Sequence, residues 1–122
     1  MQKIFQNTGK FTVENKHGLN DKGADIILTY NDNSGIPGLD SQHRCLVQIK
    51  SYTGEISSLS AIDGLRNAFN EDGDADCGLI ITTATKVSDV FLNKLGELRK
   101  ELNLSIGLLY GEELAKFVMK NL

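Results

Sequence analysis

The hydrophobic positions of this chain first change their spacing near residue 55. Before it, apolar residues come in short runs separated by Gly- and Asn-rich stretches, a pattern that predicts strands and turns. Phe11-Thr12-Val13 follows Gly9 and reads as a short first strand. Asn15 to Gly23 is polar. Ala24 to Tyr30, centred on Ile26, Ile27 and Leu28, is a second strand, and Arg44 to Tyr52, with Leu46, Val47 and Ile49, is a third. Between them, Asn31 to His43 contains Asn-Ser-Gly and Pro-Gly and is expected to be a loop or wide hairpin connection.

Past residue 55 the period lengthens. Ile56, Leu59, Ile62, Leu65 and Phe69 recur every three or four residues and form one apolar helix stripe. Ser57 or Ser58 is its expected cap. Asn70 to Asp76 is an acidic, solvated turn, and Cys77 to Thr82 is a buried strand. Thr85 is the expected cap of a further helix, with a stripe of Val87, Val90, Phe91, the Lys94 stem, Leu98 and Leu102. Leu104 to Leu109 is a last strand, and Gly111 to Asn121 a last helix carrying Leu114, Phe117 and Val118. The order is β-β-β-α-β-α-β-α. It implies an antiparallel meander followed by right-handed βαβ units, hence an α/β fold with a central mixed β-sheet and helices on its faces.

The 122 residues suit a single domain spanning 1–122, large enough to bury roughly two-thirds of its unfolded surface. No apolar run approaches the ~20 residues of a membrane span, so no membrane partner is expected. Met1 to Gly9 has no apolar core followed by a small-residue cleavage site, and a cytoplasmic location is expected. Cys45 and Cys77 sit in apolar runs and read as buried free thiols, without the Cys/His spacing of a zinc site. His17 and His43 lie in polar stretches and read as solvated. A net charge of −3 and a pI near 5.3 count against a broad nonspecific DNA-binding surface. Neither GxGxxG nor GxxxxGK[ST] occurs, so nucleotide binding is not indicated.

The chemistry concentrates in two places. Asp25 opens the second strand, and Gln48-Ile49-Lys50 ends the apolar part of the third. Strand alternation points Gln48 and Lys50 the same way, and adjacency of the two strands would bring Asp25 to them. A hydrolytic metal site would need such groups: a hard anionic oxygen, a neutral amide oxygen, and an ammonium to orient or deprotonate a water or offset transition-state charge. An ordinary wet sheet face would carry the same residues, and spacing alone leaves both readings open.

Asp21-Lys22-Gly23-Ala24-Asp25-Ile26-Ile27 resembles the D-G-G-x-D-hydrophobic element of the PD-(D/E)xK nuclease superfamily, and within it of the Mrr-like restriction endonuclease catalytic domain. Val47-Gln48-Ile49-Lys50-Ser51-Tyr52 resembles that family's V-Q-x-K element, and Gly78-Leu79-Ile80-Ile81-Thr82-Thr83-Ala84 its strand ending in Thr-Thr-Gly. The likeness runs from about Gly9 to Lys120. It implies a three-layer α/β/α restriction-endonuclease-like fold and Mg²⁺-dependent DNA cleavage, with Mn²⁺ as a substitute. It implies catalytic roles for Asp25, Gln48 and Lys50, and a metal held by Asp25, the Gln48 side chain and the Ile49 backbone carbonyl. Lys22 stands where the family has Gly. Only Met1 to Thr8, with no acidic residue, precede the first strand where the family begins with a longer helix bearing a Glu. The resemblance thus leaves two expectations: a fragment of a larger protein, or a site without that carboxylate.

Further candidates surround this set, each with an ordinary alternative. Asp21 is an accessory ligand or a turn former, and Glu55 an accessory ligand or a solvated carboxylate. Thr83 and Thr85 would meet DNA phosphate at a helix N-terminus, or Thr85 would simply cap it. Lys22 and Lys86 are phosphate contacts or plain surface. The leading expectation is a restriction or genome-defence endodeoxyribonuclease acting on DNA, as a homodimer or with a fused or partner recognition domain. The alternatives are a catalytically inactive nuclease-fold binding module and a nuclease that resolves DNA junctions.

Overall fold

The computed structural model describes residues 1–15, 25–32, 36–38 and 41–122. Along the chain the elements are α1 (Gln2–Asn7), β1 (Thr12–Asn15), β2 (Ile26–Asp32), β3 (Ser41–Lys50), β4 (Glu55–Ile56), α2 (Ser60–Glu71), β5 (Cys77–Thr82), β6 (Lys86–Val87), α3 (Asp89–Leu102), β7 (Ser105–Leu109) and α4 (Gly111–Lys120). The main sheet has the order β1-β2-β3-β5-β7. β1, β2 and β3 are antiparallel neighbours, while β3, β5 and β7 run parallel. This is the meander followed by crossovers that the alternation of strands and helices demands.

Each strand sends alternate side chains to opposite faces. On one face Ile27, Leu46, Ile80 and Ile106 pack with Leu65, Phe69, Phe91, Leu95 and Leu98 of α2 and α3. On the other, Leu28, Val47 and Ile81 pack with Phe5 of α1 and with Leu114 and Phe117 of α4. The result is a three-layer α/β/α arrangement. β3 and β5 are covered on both faces, which is why their sequences read as continuous apolar runs.

Several local expectations are corrected. α1 was not foreseen; one hydrophobic residue, Phe5, anchors its six residues, too few to show a period. The connection between β2 and β3 is shorter than expected, because β2 reaches Asp32 and β3 begins at Ser41. Ile56 does not open the first long helix. It is fully buried in β4, paired in parallel with Val87 of β6, and α2 starts at Ser60 after Leu59, with no side-chain cap. Ser88, not Thr85, caps α3: its hydroxyl accepts from the Phe91 amide at 3.1 Å. With the helix starting at Asp89, the buried stripe is Phe91, Leu95 and Leu98, while Val90 is 58% exposed.

His43 is likewise part of β3 rather than a solvated loop residue. Its Nδ1 lies 2.8 Å from Asp76 Oδ2, and its ring stands 5.0 Å from that of Tyr30. Burial works to raise the Asp76 pKa, but hydrogen bonds from His43 and from the Arg44 amide outweigh it and hold the carboxyl below its usual range. Cys45 is buried as expected, while Cys77 is only half-buried.

Candidate active site

Asp25 stands one residue ahead of β2, against the C-terminal end of β3. Its amide donates to the Val47 carbonyl at 2.9 Å, and its carboxylate Oδ2 accepts from the Ile49 amide at 2.8 Å. The residue thus grips β3 on both sides of Gln48. A side-chain oxygen of Asp25 here fills the acceptor role that a strand carbonyl fills elsewhere in the ladder. Fixing one oxygen on a backbone N–H also fixes the direction of the other.

Gln48 and Lys50 share the face of Leu46, which looks toward α2 and α3. Their partners on β5 are Ile80 and Thr82. Gln48 is half-buried and packs directly under α2. A Cβ added to Gly64 would come within 3.2 Å of its amide carbon and nitrogen. Gly64 was missed in the sequence reading; its signal is a glycine inside an otherwise regular helix stripe, between Ile62 and Leu65, which marks close approach of another group. Beneath it the Gln48 Oε1 is buried and, among the described residues, has no hydrogen-bond partner. An unsatisfied buried acceptor costs about 1–3 kcal/mol, so its retention calls for an occupant.

Beyond Lys50 and Thr82 the chain is strapped together. The Thr83 hydroxyl accepts from the Tyr52 amide at 2.9 Å and donates to the Tyr52 carbonyl at 3.1 Å, and the Thr83 amide reaches the Lys50 carbonyl. The Thr85 amide donates to the carbonyl of Gly54, whose φ of +80° makes the turn. β4 and β6 continue this pairing, with Glu55 opposite Lys86 and both exposed. Thr82, fully buried, accepts from the Ala84 amide. Ligands of open α/β sheets sit outside the carboxyl ends of the parallel strands, and these residues line that position.

The structure therefore brings Asp25, Gln48, Ile49 and Lys50 to one end of the sheet, with Glu55 and Lys86 on the small β4–β6 pair that follows. Thr83 and Thr85 have another job than the one expected: their amides and hydroxyls are committed to the 50–54 segment, and no helix begins there. Asp21 and Lys22 lie outside the described residues. Among the described residues no three His, Cys, Asp or Glu side chains converge as a metal site. The donor set at hand is one carboxylate, one amide oxygen and backbone carbonyls. These are hard oxygen donors of the kind Mg²⁺ or Mn²⁺ takes with few protein ligands, and the orphaned Gln48 oxygen fits such an ion.

The comparisons with known proteins bear on the family and the fold. The sequence profile of the Mrr catalytic domain, described as a restriction endonuclease, matches residues 1–118. The chain belongs to that family, and so to the nucleases. Among solved structures it is similar to the DNA modification-dependent restriction endonuclease AspBHI. The TM-score is 0.53 and the identity 11%, over 91% of this chain and 26% of that one. At that identity the likeness is one of fold, and this chain spans about a quarter of the length of AspBHI. No curated protein matches it. Among the described residues no helix is long and apolar enough to cross a membrane.

Proposed function

We propose that the chain is the catalytic domain of an endodeoxyribonuclease that hydrolyses DNA phosphodiester bonds with a divalent cation, Mg²⁺ or in its place Mn²⁺. Membership of the restriction endonuclease family supports the reaction class. The observation that carries the site is the buried Gln48 Oε1, which has no hydrogen-bond partner among the described residues. Asp25, the Gln48 oxygen and the Ile49 carbonyl would hold the ion, which supplies Lewis-acid polarisation and an acidified water. Asp25 brings the negative charge, aimed by the Ile49 amide. The Lys50 ammonium offsets charge developing on the phosphoryl oxygens and orients the attacking water. Lys86 and, from the sequence, Lys22 are the candidates for phosphate contacts, and Asp21 and Glu55 stand as candidate accessory carboxylates.

On this reading residues 1–122 form one cytoplasmic catalytic domain of restriction or genome-defence type. Cutting both strands calls for two active sites, hence a homodimer or a partner that also supplies recognition. The test is supercoiled plasmid with purified protein and Mg²⁺ or Mn²⁺. Wild type nicks it, while Asp25→Ala and Lys50→Ala each lose at least about a hundredfold in rate. Equal nicking by the variants would sink the assignment. Branched-junction and linear substrates run side by side separate a junction-resolving nuclease from a restriction type.

The second reading, a nuclease fold without catalysis, is favoured by the lack, among the described residues, of three converging His, Cys, Asp or Glu side chains and by the acidic pI. Calorimetric titration with Mn²⁺ distinguishes it. An inactive module shows no heat that disappears with Asp25→Ala.

A further inference from the structure

On the sheet face away from Gln48 and Lys50, Cys45 of β3 and Cys77 of β5 are directly paired positions on neighbouring parallel strands. Paired residues on adjacent strands point to the same face, with Cα atoms about 4.8 Å apart. That separation falls within the roughly 4.4–6.8 Å span of a disulfide. Both thiols are free. They are not equivalent: Cys45 is 7% exposed, while Cys77 is half-buried. Both line a cavity of about 650 Å³, together with Phe5, Phe11, Tyr30 and Leu79. The Tyr30 hydroxyl lies 3.6 Å from the Cys77 sulfur, and the Cys77 sulfur lies 3.8 Å from the Arg44 carbonyl.

We propose that Cys45 and Cys77 form an oxidisable dithiol that a hydroperoxide converts to a cross-strand disulfide, with Cys77 as the attacking sulfur and Cys45 as the resolving one. The environment divides the labour in this direction. Hydrogen bonding from Cys45 lowers the Cys77 pKa and the Tyr30 hydroxyl adds to the lowering, which together outweigh burial and the Asp76 carboxylate, both of which raise it. The same Cys77 interaction, with burial, pushes the Cys45 thiol up. Tyr30 keeps its proton, its pKa raised first by Cys77 and then by burial, so it stays a donor to the thiolate. A thiolate with access to a cavity is the nucleophile, and a protonated buried thiol beside it is the group that resolves.

The chemistry closes without any further reagent. The Cys77 thiolate attacks the terminal oxygen of the hydroperoxide, and the O–O bond breaks. Cys77 becomes a sulfenic acid, and the alkoxide leaves as the alcohol after taking a proton from solvent. Cys45 then attacks the Cys77 sulfur as its S–O bond breaks. The departing hydroxide takes the Cys45 proton and leaves as water. Two thiols and one hydroperoxide give one disulfide, one alcohol and one water.

The experiment treats the whole folded chain with hydrogen peroxide, quenches with iodoacetamide, and reads the intact mass and the labelled peptides. The expected product is a monomer lacking two hydrogens, unlabelled at both cysteines and restored by dithiothreitol. Before oxidation, iodoacetamide labels Cys77 about tenfold faster than Cys45. Cys45→Ser halts the reaction at a Cys77 sulfenic acid trapped by dimedone, and Cys77→Ser leaves Cys45 a thiol at the same dose. Should both cysteines stay open to label, should only intermolecular disulfides form, or should the bond form no faster than in the urea-unfolded chain, the proposal is overturned. The wild-type readout stands even if a serine variant fails to fold. Nuclease activity does not enter the measurement, so its outcome is independent of the proposed function.

Discussion

Gln48 holds two opposed demands in one side chain. Its oxygen is buried beneath Gly64 without a partner among the described residues, which is costly for the folded state. The same unsatisfied lone pairs are what a hard cation needs. Replacing the amide by an apolar side chain of similar length removes the cost and the ligand together. Gln48→Met is expected to raise the unfolding free energy of the metal-free protein by about 1 kcal/mol. It should also abolish the Mn²⁺ heat in calorimetry and the plasmid nicking. Urea denaturation without metal, beside the titration, checks both halves. A variant that is less stable than wild type without metal would show that the amide is satisfied in solution, and the argument for a waiting ligand would fall.

At the level of elements, the loop between β5 and α3 is the place where local sequence and long-range pairing disagree. Thr82-Thr83-Ala84-Thr85 offers several helix caps, and Val87 and Val90 offer an apolar period, so the sequence alone starts the helix early. Pairing with the 50–56 segment outweighs those signals: the amides of Thr83, Thr85 and Ser88 are drawn to the carbonyls of Lys50, Gly54 and Ile56. Such cross-chain bonds leave no local trace, and so β4, β6 and the true start of α2 were not legible. β5, by contrast, was placed to the residue, because an apolar run buried on both faces is recognisable from composition alone. The cap assignment is testable. Ser88→Ala should cost about 1 kcal/mol in thermal or urea unfolding through loss of the bond to the Phe91 amide. An unchanged stability would return the helix start to Thr85.

For the whole molecule, the proposed DNA contacts have to be reconciled with a net charge of −3. The mixed sheet, and the approach of Asp25 to the third strand once the second and third are neighbours, could be reasoned from the chain, since adjacent antiparallel strands bring the start of one to the end of the next. The charge around the site could not, because it depends on which lysines the loops carry to that end of the sheet. Lys50 and Lys86 lie there, with Lys22 the further candidate, while Lys94 and Lys116 are engaged with glutamates of their own helices. Affinity for duplex DNA rises by counterion release from each neutralised phosphate, with a log–log salt slope of about −0.9 per contact. Three lysines therefore predict a slope of about −3 or shallower. Fluorescence anisotropy of a labelled duplex, titrated across a series of potassium chloride concentrations, measures it. Lys86→Ala should flatten the slope by about one contact and weaken binding uniformly across sequences. A slope as steep as about −6 would need a second basic surface and would place the main DNA contacts away from the Asp25–Lys50 end of the sheet.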